Sequence, residues 1–266
     1  MSANSNFLKS LGVDADSINS KALEDRKKTG KGCIECDYRG YALNSDGDVI
    51  MCSCVKSRML KEIYIKSNLP RKYWYKTIDD WNIHSDASGN SLGAQQTISN
   101  NIKQFVKFYS ANLAAIVQGK SLYLQHSGNV KDKLHSILFV GTQGSGKSFI
   151  NSVIAQTAID QSLTTIYYEW SDLSSLMSDF DNRSEIDDVK DIFASYELIC
   201  IDGVEHISNH NPFFNQSLDR LCKARLNSGY PTIISSNGTH NQISQVSGWT
   251  SLIEECLNIP LPSVIK

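Results

Sequence analysis

Residues 141–148 read Gly-Thr-Gln-Gly-Ser-Gly-Lys-Ser, directly after the apolar run Ile137-Leu138-Phe139-Val140. The pattern is G-x-x-x-x-G-K-S, placed where a buried strand should end and a helix begin. Glycines at 141, 144 and 146 free the backbone to curl until its N–H groups face one anion. A helix starting near Ser148 adds its positive end to the same point. The spacing predicts a nucleotide phosphate site made of Gly141, Thr142, Gln143, Gly144, Ser145, Gly146, Lys147, Ser148 and Phe149. Lys147 is expected on the β- and γ-phosphates, and the Ser148 hydroxyl on Mg²⁺. A flexible Gly/Ser linker is the bland alternative. It fits poorly, because Phe149, Ile150, Val153 and Ile154 continue apolar structure beyond the loop.

Phosphate binding alone hydrolyses nothing; a metal carboxylate and a water-orienting group are also needed. Leu198-Ile199-Cys200-Ile201 leads into Asp202, which places a carboxylate at the tip of a buried strand, beside Mg²⁺. Lys147 and Asp202 lie 55 residues apart, room for two intervening strand–helix units. Many ATPases of this design carry a second acidic residue next, but here that position is Gly203. Glu205 is the nearest carboxylate, either a water-orienting group or a surface residue. Asn237 closes the run Thr232-Ile233-Ile234-Ser235-Ser236 and is expected to sense the γ-phosphate, the alternative being an ordinary Asn-Gly turn.

Four of the seven cysteines crowd together as C-x₂-C-x₁₅-C-x-C: Cys33, Cys36, Cys52 and Cys54. Thiolates bind Zn²⁺ tetrahedrally, and four of them close a structural site. A piece this small cannot bury enough core to fold alone, so Zn²⁺ binding would supply on the order of 10 kcal/mol of folding energy. Cys200, Cys222 and Cys256 sit among apolar neighbours and read as core.

The elements that must position these groups follow from periodicity. A helix is expected from Ser57 to about Asn68, ended by Pro70, and another from Ala94 to Val117. Residues 121–136 give no clear signal. Strands at 137–140, 164–169, 198–201 and 231–235 alternate with helices at 148–160, 171–177, 186–193 and 213–227. A helix at 249–257 and a last strand at 261–265 complete the list. Such alternation implies an α/β fold with a parallel sheet flanked by helices, whose ligands bind at the carboxyl ends of the strands. The domain boundaries expected are 1–30, a polar arm; 31–69, a zinc-binding domain; 70–93, a linker and lead-in; and 94–266, the nucleotide-binding core.

Net charge is −2, which excludes a polyanion-binding role for the whole surface. Its distribution is uneven. Residues 21–76 carry 13 Lys/Arg against 7 Asp/Glu, and residues 77–266 carry 12 against 19. The basic front suggests a polyanion or acidic partner, or a merely solvated surface. The aromatic-basic stretch Arg71–Lys76 could stack on single-stranded nucleic acid, but aromatic faces more often pack, here onto the core or an adenine pocket. No apolar stretch is long enough for a membrane span, and no signal peptide pattern opens the chain, so the cytoplasm is the expected compartment.

Taken in order, the phosphate loop, the Ile-Cys-Ile-Asp strand end and the Ser-Ser-Asn tip make residues 70–266 resemble an AAA+ ATPase with the P-loop NTPase fold. The DnaC/DnaI-type replicative helicase loaders and the related IstB-type transposition helpers are the branch indicated. Leu-Pro-Arg-Lys-Tyr-Trp-Tyr at 69–75 looks like the segment that opens those proteins' core. The cysteine cluster resembles the amino-terminal zinc-binding domain of DnaI-like loaders. By this resemblance Lys147 and Ser148 are the Walker A pair, Asp202 the Walker B aspartate and Asn237 sensor 1. It further implies ATP, Mg²⁺ and Zn²⁺ as cofactors, and a replicative DNA helicase and single-stranded DNA as partners. No membrane partner is implied; a homo-oligomer is.

Two departures stand out. Gly203 replaces an acidic residue, and no arginine occupies the helix after Asn237, leaving Arg220 and Arg225 as the late arginines available to a neighbour's site. Hydrolysis is therefore expected to be weak or partner-dependent. A non-hydrolysing adaptor that responds to ATP is the alternative. A small-molecule kinase is disfavoured, because the region after Asp202 lacks a basic lid.

Overall fold

Short runs of β-branched and aromatic residues, each followed by a helical segment, dictate a sheet with helices on both faces. The computed structural model describes residues 33, 36, 40–43, 48–82, 93–120, 123–125, 131–178, 183–204, 212–238, 241–242 and 250–262. The chain divides into two compact units, Met1–Asn68 and Leu69–Lys266.

In the first unit β1 (Tyr41–Leu43) and β2 (Val49–Met51) pair antiparallel, with Tyr41 opposite Met51. Helix α1 (Ser53–Lys66) follows at once, with Cys52 as its N-cap. Val55, Met59 and Ile63 recur every four residues and bury one stripe. The helix starts four residues before the expected Ser57, because nothing in Ser53–Lys56 breaks it.

The second unit opens with two 3₁₀ turns, Arg71–Tyr73 and Ile78–Asp80. A reciprocal cap between Thr77 and Asp80 closes the second. Where one helix was expected over 94–117, two form: α2 (Gly93–Ala111) and α3 (Leu113–Val117). The break falls at Asn112, whose side-chain amide donates back to the Phe108 carbonyl (2.8 Å) and competes with the helix. Next comes an antiparallel hairpin of β3 (Tyr123–Gln125) and β4 (Lys131–Lys133).

The remaining elements are β5 (Ser136–Val140), α4 (Lys147–Asp160), β6 (Thr165–Glu169), α5 (Trp170–Ser178), α6 (Arg183–Ser195), β7 (Leu198–Val204), α7 (Pro212–Ser228), β8 (Thr232–Ser236), α8 (Thr250–Glu254) and β9 (Cys256–Pro260). Five strands form one parallel sheet in the order β6-β7-β8-β5-β9. Leu138, Ile166, Ile199, Ile201 and Ile234 line one face and pack on Trp170, Leu173, Phe214 and Leu218 from α5 and α7. The alternate residues Ile137, Phe139, Tyr167, Cys200 and Ile233 are buried too, as period-two alternation requires of strands covered on both faces.

Two expectations are corrected. The final strand is Cys256–Pro260, not 261–265, and the helix before it is five residues long rather than spanning 249–257. Leu252, Ile253 and Leu257 have helical spacing, but parallel pairing of residues 256–260 with β5 outweighs that local preference. Strand β7 also runs on past Asp202 to Val204, with a register shift between Ile201 and Val204.

Candidate functional site

At the carboxyl end of β5 the chain turns through residues 141–146 and enters α4 at Lys147. Gly144 and Gly146 have φ of 88° and 87°, a conformation strained for any residue with a Cβ. The curled loop wraps its own lysine. Lys147 Nζ donates to the carbonyls of Gly141 and Thr142, both at 2.8 Å, and to Ser145 Oγ at 3.3 Å. Burial pulls the Lys147 pKa below its ordinary value, and the negative charge of Asp202 opposes that shift. Thr142, Gln143 and Gly144 are exposed at the crest, while Ser148 and Phe149 are half-buried on the first turn of α4.

Asp202 lies on β7, half-buried. Its partner was not foreseen: Ser235 on β8, fully buried, donates its hydroxyl to Asp202 Oδ1. The same Ser235 oxygen accepts the Gly203 N–H at 3.0 Å. Gly203 has φ of 76° and forms the irregular point of the strand. One serine thus fixes both residues. Tyr167 on β6 is buried beside them. Burial, then the charge of Asp202, pushes its phenol far above the usual range, while Ser152 on α4 works in the opposite direction. Its hydroxyl closes no hydrogen bond of normal geometry. Asn237 follows β8 in an exposed bend. Glu205 lies outside the described residues.

The lead-in segment clamps the loop and helix. Tyr75 N donates to Gln156 Oε1 (2.6 Å), and Gln156 Nε2 donates to the Tyr73 carbonyl (2.9 Å). The Tyr73 ring meets Phe149 edge-on at 5.7 Å, so this aromatic packs on the core, as its large face favours. Trp81 was missed in the sequence. It is 4% exposed and donates its indole N–H to the Ser145 carbonyl at 3.2 Å. A Cβ on Gly146 would lie 2.1 Å from that indole nitrogen, so residue 146 must be glycine for contact as well as conformation. The only local hint was a large aromatic residue set between Asp80 and Asn82.

The late arginines are not equivalent. Arg225 is 1% exposed. It donates to Thr232 Oγ1 and to the carbonyls of Phe193, Tyr196, Glu197 and Pro231. It pins the ends of α6, α7 and the starts of β7 and β8, and cannot reach another chain, contrary to expectation. Arg220 is half-buried and pairs with Asp187.

In the first unit Cys33, Cys36, Cys52 and Cys54 hold their sulfurs within 4.8 Å of one another. Cys33 to Cys52 is 3.7 Å and Cys36 to Cys54 is 3.5 Å. These spacings are too long for disulfides and close to the ~3.8 Å between ligands of a tetrahedron with 2.3 Å bonds. Cys52 caps α1 and Cys54 sits in its first turn, so the tight C-x-C straddles a helix start. Burial raises the Cys36 thiol, yet the Gly40 backbone and the three neighbouring thiols outweigh it and bring it to about 7. Burial and neighbours push Cys54 the other way. The donor set fits Zn²⁺.

No family model matches the sequence, and no curated protein matches it. Solved structures do. A DnaC helicase loader superposes with TM-score 0.52 at 12% identity, over 73% of this chain and 100% of that one. AMPPCP-bound DnaA from Aquifex aeolicus gives 0.51 at 17% identity, over 73% and 51%. The replication initiator DnaA bound to AMPPCP and single-stranded DNA gives 0.50 at 16%, over 73% and 50%. The chain therefore spans about half the length of the two DnaA chains. The fold is that of AAA+ P-loop domains: a five-stranded parallel sheet flanked by helices. Among the described residues no helix is long and apolar enough to cross a membrane.

Proposed function

We propose that this protein is an ATP-dependent loader of a replicative DNA helicase. The observation that carries the reading is a buried lysine wrapped by its glycine loop, close enough to Asp202 for that charge to act on it. It occurs in a fold that covers the whole of a DnaC helicase loader. In this reading residues 141–149 cradle the triphosphate, and Lys147 trades its loop carbonyls for phosphate oxygens. Ser148 and Asp202 hold Mg²⁺, which neutralises phosphate charge when bound. Asn237 senses the γ-phosphate. The AMPPCP carried by two DnaA structures of the same fold supports a nucleotide in this one.

Zn²⁺ held by Cys33, Cys36, Cys52 and Cys54 would fix the turn into α1, and the basic front would grip the helicase. Single-stranded DNA is the expected second ligand, and DNA lies on one of the two DnaA neighbours. An arginine from another subunit, Arg220 of a second copy or one of the helicase, would complete the site. A second reading has one specific observation behind it. Gly203 stands where a carboxylate would orient water, which favours an adaptor that binds ATP without turning it over.

The test is retention of a purified hexameric replicative helicase by the full chain with ATP, ADP or no nucleotide, followed by loading onto circular single-stranded DNA. Nucleotide-dependent retention and loading are expected. Failure to retain the helicase in every state overturns the loader reading.

A further inference from the structure

In this chain the backbone at position 203 does not suit a second carboxylate. Gly203 has φ of 76° and falls in the register shift between Ile201 and Val204. A side chain there would find open space but a strained backbone. The adjacent strand offers another carboxylate at the same level. Glu169, the last residue of β6, pairs in parallel register with Asp202, so their Cα atoms are about 4.8 Å apart and their side chains leave the same face of the sheet.

Two neighbours of Glu169 fix which face that is. Tyr168 packs against Phe193 of α6, with ring centroids 6.1 Å apart. Tyr167 points the other way, where Ser152 of α4 and Asp202 both act on its phenol. Glu169, two residues beyond Tyr167, is therefore on the α4 side. Its height follows from the helix running back against the strand. Two residues along β6 advance about 6.6 Å toward the carboxyl edge. Four residues back from Ser152 along α4 cover about 6 Å and reach Ser148. Glu169 is thus level with the first turn of α4, with Asp202 on the strand beside it, and it is exposed.

We infer that the Glu169 carboxylate orients and deprotonates the water that attacks the γ-phosphate, in place of the acidic residue absent at 203. The inference rests on the ATP reading above. The water oxygen bonds to the γ-phosphorus as the bond from that phosphorus to the β,γ-bridging oxygen breaks. ADP leaves with the electron pair. The water proton passes to Glu169 and then to solvent as inorganic phosphate departs.

The experiment is single-turnover ATP hydrolysis by the full chain with helicase and single-stranded DNA, alongside ATP affinity. Glu169→Gln should cut the hydrolysis rate by about 10²- to 10⁴-fold, with ATP affinity within threefold of the parent and an unchanged melting temperature. Glu169→Ala should behave alike. Parent-like hydrolysis by Glu169→Gln overturns the inference. So does a parent protein that binds ATP and never hydrolyses it. Both leave the nucleotide reading intact. A parent protein that takes up no ATP ends the nucleotide reading itself, and the inference with it.

Discussion

Ser235 shows how much of this site rests on single hydroxyls. It donates to Asp202 and accepts from Gly203 N–H, inside a fully buried environment. Ser235→Ala strands the half-buried Gly203 N–H and frees the carboxylate, so unfolding in urea should show a loss of about 1–3 kcal/mol. Ser235→Thr keeps the oxygen and should recover most of it; equal stability of the alanine variant and the parent would contradict the geometry. Gly146→Ala drives a Cβ into the Trp81 indole. It should lower stability and shift tryptophan emission to the red. Adding Trp81→Ala removes the obstacle, so the double variant should lose less than the two singles combined. The loop around Lys147 was legible in the sequence because its chemistry is carried by eight contiguous residues. Ser235, Tyr167 and Trp81 were not, because their importance depends on which strand lies beside which and on where the lead-in segment docks.

At the scale of elements, Arg225 and the cysteine cluster do the joining. Arg225 binds five acceptors, none of them a carboxylate, and burial draws its pKa down to about 9, so it remains charged at neutral pH. Arg225→Ala leaves buried carbonyls without donors. It should cost several kcal/mol by chemical denaturation, since each buried acceptor left unsatisfied costs about 1–3 kcal/mol. Lysine should not rescue it, since one ammonium cannot span that fork. In the first unit, chelation should abolish hydrogen-exchange protection over residues 53–66 while β5–β9 keep theirs. Unchanged protection of α1 would argue that the thiols hold no structural metal. The alternation of apolar runs made the parallel sheet readable. The carboxyl-terminal turn was misread because Leu252, Ile253 and Leu257 satisfy a helical period, whereas pairing with β5 is a long-range choice. The bulge at Gly203 was likewise hidden, as its register depends on β8.

For the whole molecule, a basic amino-terminal stretch precedes an acidic α/β unit. That asymmetry, with the AAA+ fold, is what the loader reading uses. A fragment lacking residues 1–68 should keep ATP binding and lose helicase retention, measured on the same immobilised helicase. Charge asymmetry could be counted in the sequence, but it named no partner, because many polyanions and acidic surfaces satisfy it. The claim beneath all of this is that ATP with Mg²⁺ occupies the loop at 141–148. Calorimetric titration of ATP into the full chain and into Lys147→Ala addresses it most directly. The account predicts one equivalent of ATP taken up by the parent, with binding lost or weakened at least tenfold in the variant. No heat of binding in the parent, or equal affinity in both proteins, would contradict it.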